Sequence, residues 1–222
     1  VSQPQVRASL FYRACQALCR VVTSLLFDLK VFGAEHVPLE GGVLLLSNHQ
    51  SNLDPVLVAV RLGRPVTFLA KAQLFKPWGL RWLIRQLNAY PIKQGAGDIG
   101  AVRETIARLK AGHLLTVFPE GHRTEDGELL PLQSGFALVV RKVDVPIIPV
   151  AVHGSFRAWP KGQRMVRPTP IRVKYGPPID VQGLSSQEIV ARAEQAIRTL
   201  FDELRGRDDR TWAAPSGPLI EN

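Results

Sequence analysis

Val43-Leu44-Leu45-Leu46-Ser47-Asn48-His49-Gln50-Ser51-Asn52-Leu53-Asp54-Pro55 is the stretch on which the fold turns. Four successive aliphatic residues read as a strand buried on both faces. Small polar residues then bend the chain, and Asp54 followed by Pro55 reads as an N-cap and the first position of a helix. A strand passing through a short turn into a helix opens a crossover unit, and open sheets place their ligand sites at the carboxyl ends of such strands. The same turn brings the Asp54 carboxylate back towards the His49 ring, which fixes the tautomer and raises the basicity of the other nitrogen. His49 is therefore a candidate general base and Asp54 its orienting partner. The alternative is that Asp54 only caps the helix and His49 only fills the turn.

Outward from this stretch, short apolar runs alternate with helical patterns. The expected strands are Leu29 to Phe32, Gly42 to Ser47, Val66 to Ala70, Leu114 to Phe118, Ile147 to Val152 and Ile171 to Tyr175. The expected helices are Pro55 to Leu62, Trp78 to Leu87, Ile99 to Ala111, Gly135 to Val143 and Ser185 to Leu204, with Asp98 capping and Gly112 stopping the third. This alternation predicts an α/β fold: a single domain with a mostly parallel or mixed central sheet flanked by helices, plus an N-terminal amphipathic helix. The expected divisions are an amphipathic membrane-surface helix over 1–28, the main domain over 29–205 and a flexible tail over 206–222. With 222 residues, 45% hydrophobic and 21% charged, the chain is long enough for a self-sufficient core and excludes a disordered tail, a coiled coil and a collagen-like repeat.

Lys and Arg number 28 against 19 Asp and Glu, a net charge of +9, so the surface favours polyanions, among them anionic headgroups and phosphorylated substrates. No nucleic-acid motif appears. In Ser9 to Phe27 a helix would gather Phe11, Cys15, Leu18, Val22 and Leu25 on one face and Arg13, Gln16, Arg20, Thr23 and Ser24 on the other. Arg13, Gln16 and Arg20 interrupt the run of about 18 apolar residues that a spanning helix needs, so the segment reads as lying on a membrane or packing on its own domain. Cys15 and Cys19, four apart on that helix, read as packing residues. Pro55 to Gly97 is free of acidic residues and mixes Arg81 and Arg85 with Trp78 and Trp82, a composition suited to the headgroup boundary. The acid-free stretch Ser155 to Ile179 reads as a solvated loop running into an edge strand.

Phe118-Pro119-Glu120-Gly121-His122-Arg123-Thr124 follows a second apolar strand. Gly121 permits close backbone approach, and Arg123 offers a planar donor array suited to phosphate. Glu120 would hold that guanidinium or accept a substrate hydroxyl. Val145-Pro146-Ile147-Ile148-Pro149-Val150 reads as an apolar strand shaping a wall. No histidine or cysteine stands at metal-ligand spacing, so no metal is expected.

Asn48 to Asp54, Phe118 to Thr124 and Val145 to Val150 resemble, in order, the first, third and fourth blocks of the glycerophospholipid acyltransferase family, of the bacterial 1-acylglycerol-3-phosphate O-acyltransferase type. The resemblance runs over roughly Val31 to Tyr175. It implies transfer of an acyl group from an acyl-CoA or acyl-carrier-protein thioester, as co-substrate and with no bound cofactor, to a hydroxyl of 1-acylglycerol-3-phosphate or a related lysophospholipid in phospholipid biosynthesis. By the same resemblance His49 and Asp54 are catalytic, and Glu120, Gly121, Arg123, Thr124 and Lys71 bind substrate. The implied setting is peripheral, on an anionic membrane surface at the cytoplasmic face. Three positions depart from the family pattern: Lys93-Gln94 stands for an Asp-Arg pair, His122 for a Thr, and Leu132-Gln133-Ser134-Gly135 lacks the usual lysine. A thioesterase or lipid hydrolase using the same His-Asp pair, or a non-catalytic basic lipid-binding module, are the competing readings. Direct transfer is favoured over an acyl-enzyme, since no Gly-x-Ser-x-Gly elbow is present and Ser51 lies close to His49 in sequence.

Overall fold

The computed structural model describes residues 8–92 and 99–208. Its elements in chain order are α1 (Leu10–Phe27), β1 (Lys30–Phe32), β2 (Val43–Ser47), α2 (Asp54–Ala59), β3 (Val66–Lys71), α3 (Trp78–Gln86), β4 (Ala89–Ile92), α4 (Ile99–Lys110), β5 (Leu114–Val117), α5 (Gly135–Val140), β6 (Ile147–His153), α6 (Ser155–Ala158), β7 (Arg172–Tyr175) and α7 (Ser186–Asp208). The strands form one seven-stranded sheet in the order β1-β7-β6-β2-β5-β3-β4. Every neighbouring pair is parallel except β6 and β7.

β2 lies at the middle of the sheet and is buried along its whole length. Its aliphatic residues divide by the period of a strand. Val43 and Leu45 join the cluster that holds Leu57 and Val58 of α2 and Phe27 of α1, whereas Leu44 and Leu46 join the cluster with Phe136 of α5 and Ile189 and Ile197 of α7. Helices thus cover both faces, which is why this strand is aliphatic throughout rather than alternating.

Two expectations about strands change. β4 was not foreseen: Ala-Tyr-Pro-Ile carries a proline, and the sheet accommodates it at the edge. β7 is not an edge strand, because β1 pairs on its outer side. There Arg172 is nearly buried and donates to the backbone and carboxylate of Asp28. α7 runs through Asp208, beyond the expected boundary at 205, and the remainder of the expected tail, like the cap at Asp98, lies outside the described residues. Gly112 ends α4 as expected, at φ +85°, a value open to glycine at little cost.

α1 packs the opposite way round from a helix that shelters its apolar stripe. Gln16 donates to the carbonyls of Ala59 and Leu62, and Arg20 to that of Val60, so its polar side caps the carboxyl end of α2. Leu10, Leu18, Val21, Val22 and Leu25 face outward, Leu10 and Leu25 at 85% and 80% exposure. Two of the three polar interruptions, Gln16 and Arg20, are therefore spent on docking, while Arg13 is exposed. The 18-residue helix, with mean hydropathy 1.2, is long and apolar enough to cross a membrane by length and composition. Phe11 meets Trp82 of α3 edge-on at 5.2 Å, and Trp78 beside it is 81% exposed. α1 and α3 together present one apolar surface.

Where β2 ends, the Asn48 side chain continues its pairing to β6. Nδ2 donates to Val152 O at 2.9 Å, and Oδ1 accepts from Val152 N at 2.7 Å, both fully buried. Asn48→Ala strands both backbone groups and is expected to cost roughly 2–4 kcal/mol in urea-induced unfolding. A loss below about 0.5 kcal/mol would show that water replaces the amide.

Candidate active site

The chain leaves β2 towards β3 on one side and leaves β5 towards β6 on the other, so the carboxyl ends of these two adjacent strands border a topological switch point. His49 and Asp54 follow the first strand, and residues 118–124 follow the second.

His49 Nδ1 and Asp54 Oδ2 lie 2.9 Å apart. The same oxygen accepts from Gln50 N at 2.6 Å and Ser51 N at 2.7 Å. Asp54 is the first residue of α2, and its fully buried carboxylate turns back onto the preceding loop instead of capping α2 from outside, as the sequence suggested. The acceptor-only carboxylate requires the proton on Nδ1, which leaves Nε2 as the basic nitrogen. The ring stacks on Phe118 at 4.2 Å and retains 19% side-chain exposure.

The turn is fastened from three directions. Thr124 N donates to His49 O at 3.0 Å, Gln50 Nε2 to Gly127 O at 2.5 Å, and Ser51 Oγ to Trp159 O at 2.9 Å. Ser51 is buried and already engaged, which leaves it no place as a nucleophile.

The expected substrate-binding residues separate into two groups. Arg123 is half-buried and makes no hydrogen bond or ion pair among the described residues, so its donor array is available. It does not pair with Glu120, contrary to one expectation for that carboxylate. Gly121 sits at φ +77°, where a side chain would also meet Gln133. Thr124, by contrast, is fully buried, with its hydroxyl donating to Asp126 Oδ1 at 2.7 Å and accepting from Gly127 N. Its placement makes it a loop organiser, not a substrate contact. Glu120 is 1% exposed, and Oε2 has no hydrogen-bond partner. Burial, first, and the nearby Asp54 push its carboxyl up to about 8 against the pull of the His49 and Leu130 amides. Lys71 closes β3, and its side chain lies outside the described residues.

Sequence reasoning missed Asn48, Gln50 and Phe118. The first two carry no chemistry, and their value appears only when β6 and the loop at Gly127 come alongside. Phe118 reads as the end of a strand. In the fold it both stacks on His49 and walls an apolar cavity of about 360 Å³ between α1, α2, α3 and β3, lined also by Cys15, Val56, Ala59 and Leu69. Among the described residues no group of three or more His, Cys, Asp or Glu is arranged to hold a metal.

A profile of the family described as Acyltransferase matches residues 28–153, more than half the chain. The chain belongs to this acyltransferase family. It is 24% identical over 203 residues to the 1-acyl-sn-glycerol-3-phosphate acyltransferase of Bacillus subtilis (strain 168), covering 90% of this chain and 99% of that protein. It is 30% identical over 164 residues to the protein of the same name from Limnanthes douglasii, covering 72% of this chain but only 58% of the plant protein. The crystal structure of the 1-acyl-sn-glycerophosphate (LPA) acyltransferase PlsC from Thermotoga maritima superposes with a TM-score of 0.77 at 29% identity, over 88% of this chain and 81% of that one. This acyltransferase shares with that structure the single α/β domain with a mixed sheet.

Asp54→Asn keeps the shape of the side chain but offers the ring and two amides a group without charge. Acyl transfer is expected to fall about 10²-fold or more, with unfolding stability also reduced; full activity would remove Asp54 from the mechanism.

Proposed function

We propose that the protein moves a fatty acyl group from an acyl-CoA or acyl-carrier-protein thioester to the free hydroxyl of 1-acylglycerol-3-phosphate or a related lysophospholipid, as a step of phospholipid biosynthesis. The observation that carries this reading is the His49–Asp54 pair at a sheet's carboxyl end, with Nε2 unengaged among the described residues and the unpaired Arg123 on the neighbouring loop. The names of the relatives, which specify 1-acyl-sn-glycerol-3-phosphate, support the acceptor.

In the reaction His49 Nε2 takes the proton of the acceptor hydroxyl as its oxygen bonds to the thioester carbonyl carbon. Asp54 holds the ring in line and stabilises the imidazolium that forms. Collapse of the tetrahedral intermediate breaks the C–S bond, and the imidazolium returns its proton to the departing thiolate. Positioned proton transfer of this kind contributes about 10²- to 10⁴-fold. Arg123, with Lys71, supplies positive charge for the acceptor phosphate. The apolar cavity walled by Phe118 suits hydrocarbon beside the catalytic ring.

The outer surface supports a membrane setting. The exposed aliphatic residues of α1 and the tryptophans of α3, flanked by Arg81 and Arg85, suit the interface of an anionic membrane. A peripheral place on the cytoplasmic face, where soluble thioesters occur, joins both substrates at one site.

Three measurements test this reading. With labelled thioester and a panel of lysolipid acceptors, His49→Ala is expected to lose about 10²- to 10⁴-fold in product. Thioester cleavage at full rate without acceptor would instead identify a thioesterase. Arg123→Gln is expected to raise the acceptor KM about tenfold or more while leaving donor KM in place; equal effects on both would move Arg123 away from the phosphate. Leu18→Glu with Leu25→Glu is expected to reduce sedimentation with anionic vesicles, and unchanged sedimentation would remove α1 from the membrane contact.

A further inference from the structure

Two buried carboxyl groups lie at the site, each with one oxygen that has no hydrogen-bond partner, and they differ in that only Asp54 reaches a side chain able to carry positive charge. Asp54 Oδ2 gathers donors from His49, Gln50 and Ser51. Glu120, on the neighbouring loop, is the one buried glutamate among the described residues; it has no cation partner there, and its Oε2 is unpartnered. A buried carboxylate without a counter-charge is costly, and a second negative charge beside Asp54 adds repulsion. The groups that act on Glu120 are Asp54 and the His49 amide from the β2–α2 turn and the Leu130 amide from the following loop. No lysine or arginine among the described residues is one of them. Gln133 Nε2 donates to the Glu120 main-chain carbonyl and not to its carboxyl group.

We propose that Glu120 is a positioning residue that works as a neutral carboxylic acid behind the His49–Asp54 pair, rather than as a charged ligand of the acceptor. One negative charge, on Asp54, is enough to orient the ring and balance the transient imidazolium. A second fixed negative charge beside Asp54 would favour the cationic ring over the free base the reaction starts from. Keeping Glu120 neutral also leaves Arg123 unclaimed for the acceptor phosphate. The tendency of burial to push this carboxyl up to about 8 agrees with a proton retained at neutral pH.

The inference rests on the acyl-transfer reading above and predicts a particular pH profile. Activity falls above about 8 as Glu120 ionises. Glu120→Gln, which is neutral at every pH, is expected to lose this alkaline limb. An alkaline limb that persists in Glu120→Gln, a wild type without that limb, or a folded Glu120→Gln protein inactive throughout would each overturn the proposal. A merely structural role for Glu120 would not move the limb. Should Glu120→Gln fail to fold, infrared spectroscopy of the wild type labelled with ¹³C-glutamate decides. A protonated glutamic acid band at pH ~7 that disappears by pH ~9 sustains the proposal, and its absence refutes it. A wild type that folds yet transfers no acyl group to any lysolipid refutes the acyl-transfer reading instead, and the infrared band still reports on Glu120.

Discussion

A single buried oxygen, Oδ2 of Asp54, governs the centre of this molecule. It closes the turn after β2 by accepting from the Gln50 and Ser51 amides, and it sets the imidazole ring by holding Nδ1 of His49. The backbone amides alone would support a tight turn, and a carboxylate reaching His49 alone would support a base. Joining both tasks in one atom means that the ring cannot drift without the turn opening. The negative charge is tolerated in a buried site because two backbone amides and the ring N–H converge on one oxygen.

From that point the constraint spreads through the loops. Thr124 N on the His49 carbonyl sets the register of the arginine-bearing loop against the His49 turn. Asn48 fixes the turn to β6 where backbone pairing with β2 gives out. Buried polar groups of the same loops therefore do two different jobs: Thr124 and Glu120 face inward and shape the site, while Arg123 remains open to solvent and ligand. A motif of adjacent residues is in this way divided between architecture and recognition by the direction each side chain takes.

Much of this was legible in the chain because it is encoded locally. The aliphatic run before Asn48 announced the central strand, and the five-residue reach from His49 to Asp54 announced the pair, since a turn and a first helical residue suffice to bring them together. Gly112 marked the end of α4 for a similarly local reason. What was not legible depends on contacts between distant segments. The proline in β4 hides a strand unless its edge position is known, and the place of β7 inside the sheet depends on β1 closing over it. Glu120 and Thr124 look like exposed ligands in a string of letters, and only the folded loops show both side chains buried. Phe118 gave no hint of its contact with the imidazole, because stacking requires two loops that meet only in the folded sheet.

The inverted packing of α1 has a practical consequence for anyone handling the protein. Because Gln16 and Arg20 are committed to the carboxyl end of α2, the helix cannot turn its apolar stripe inward without breaking those bonds, and the stripe stays uncovered in plain buffer. Such a stripe seeks any available cover. Concentrated preparations will clump through it, and mild detergent at micellar concentration will disperse them without disturbing the sheet, whose core lies on the far side of the helix.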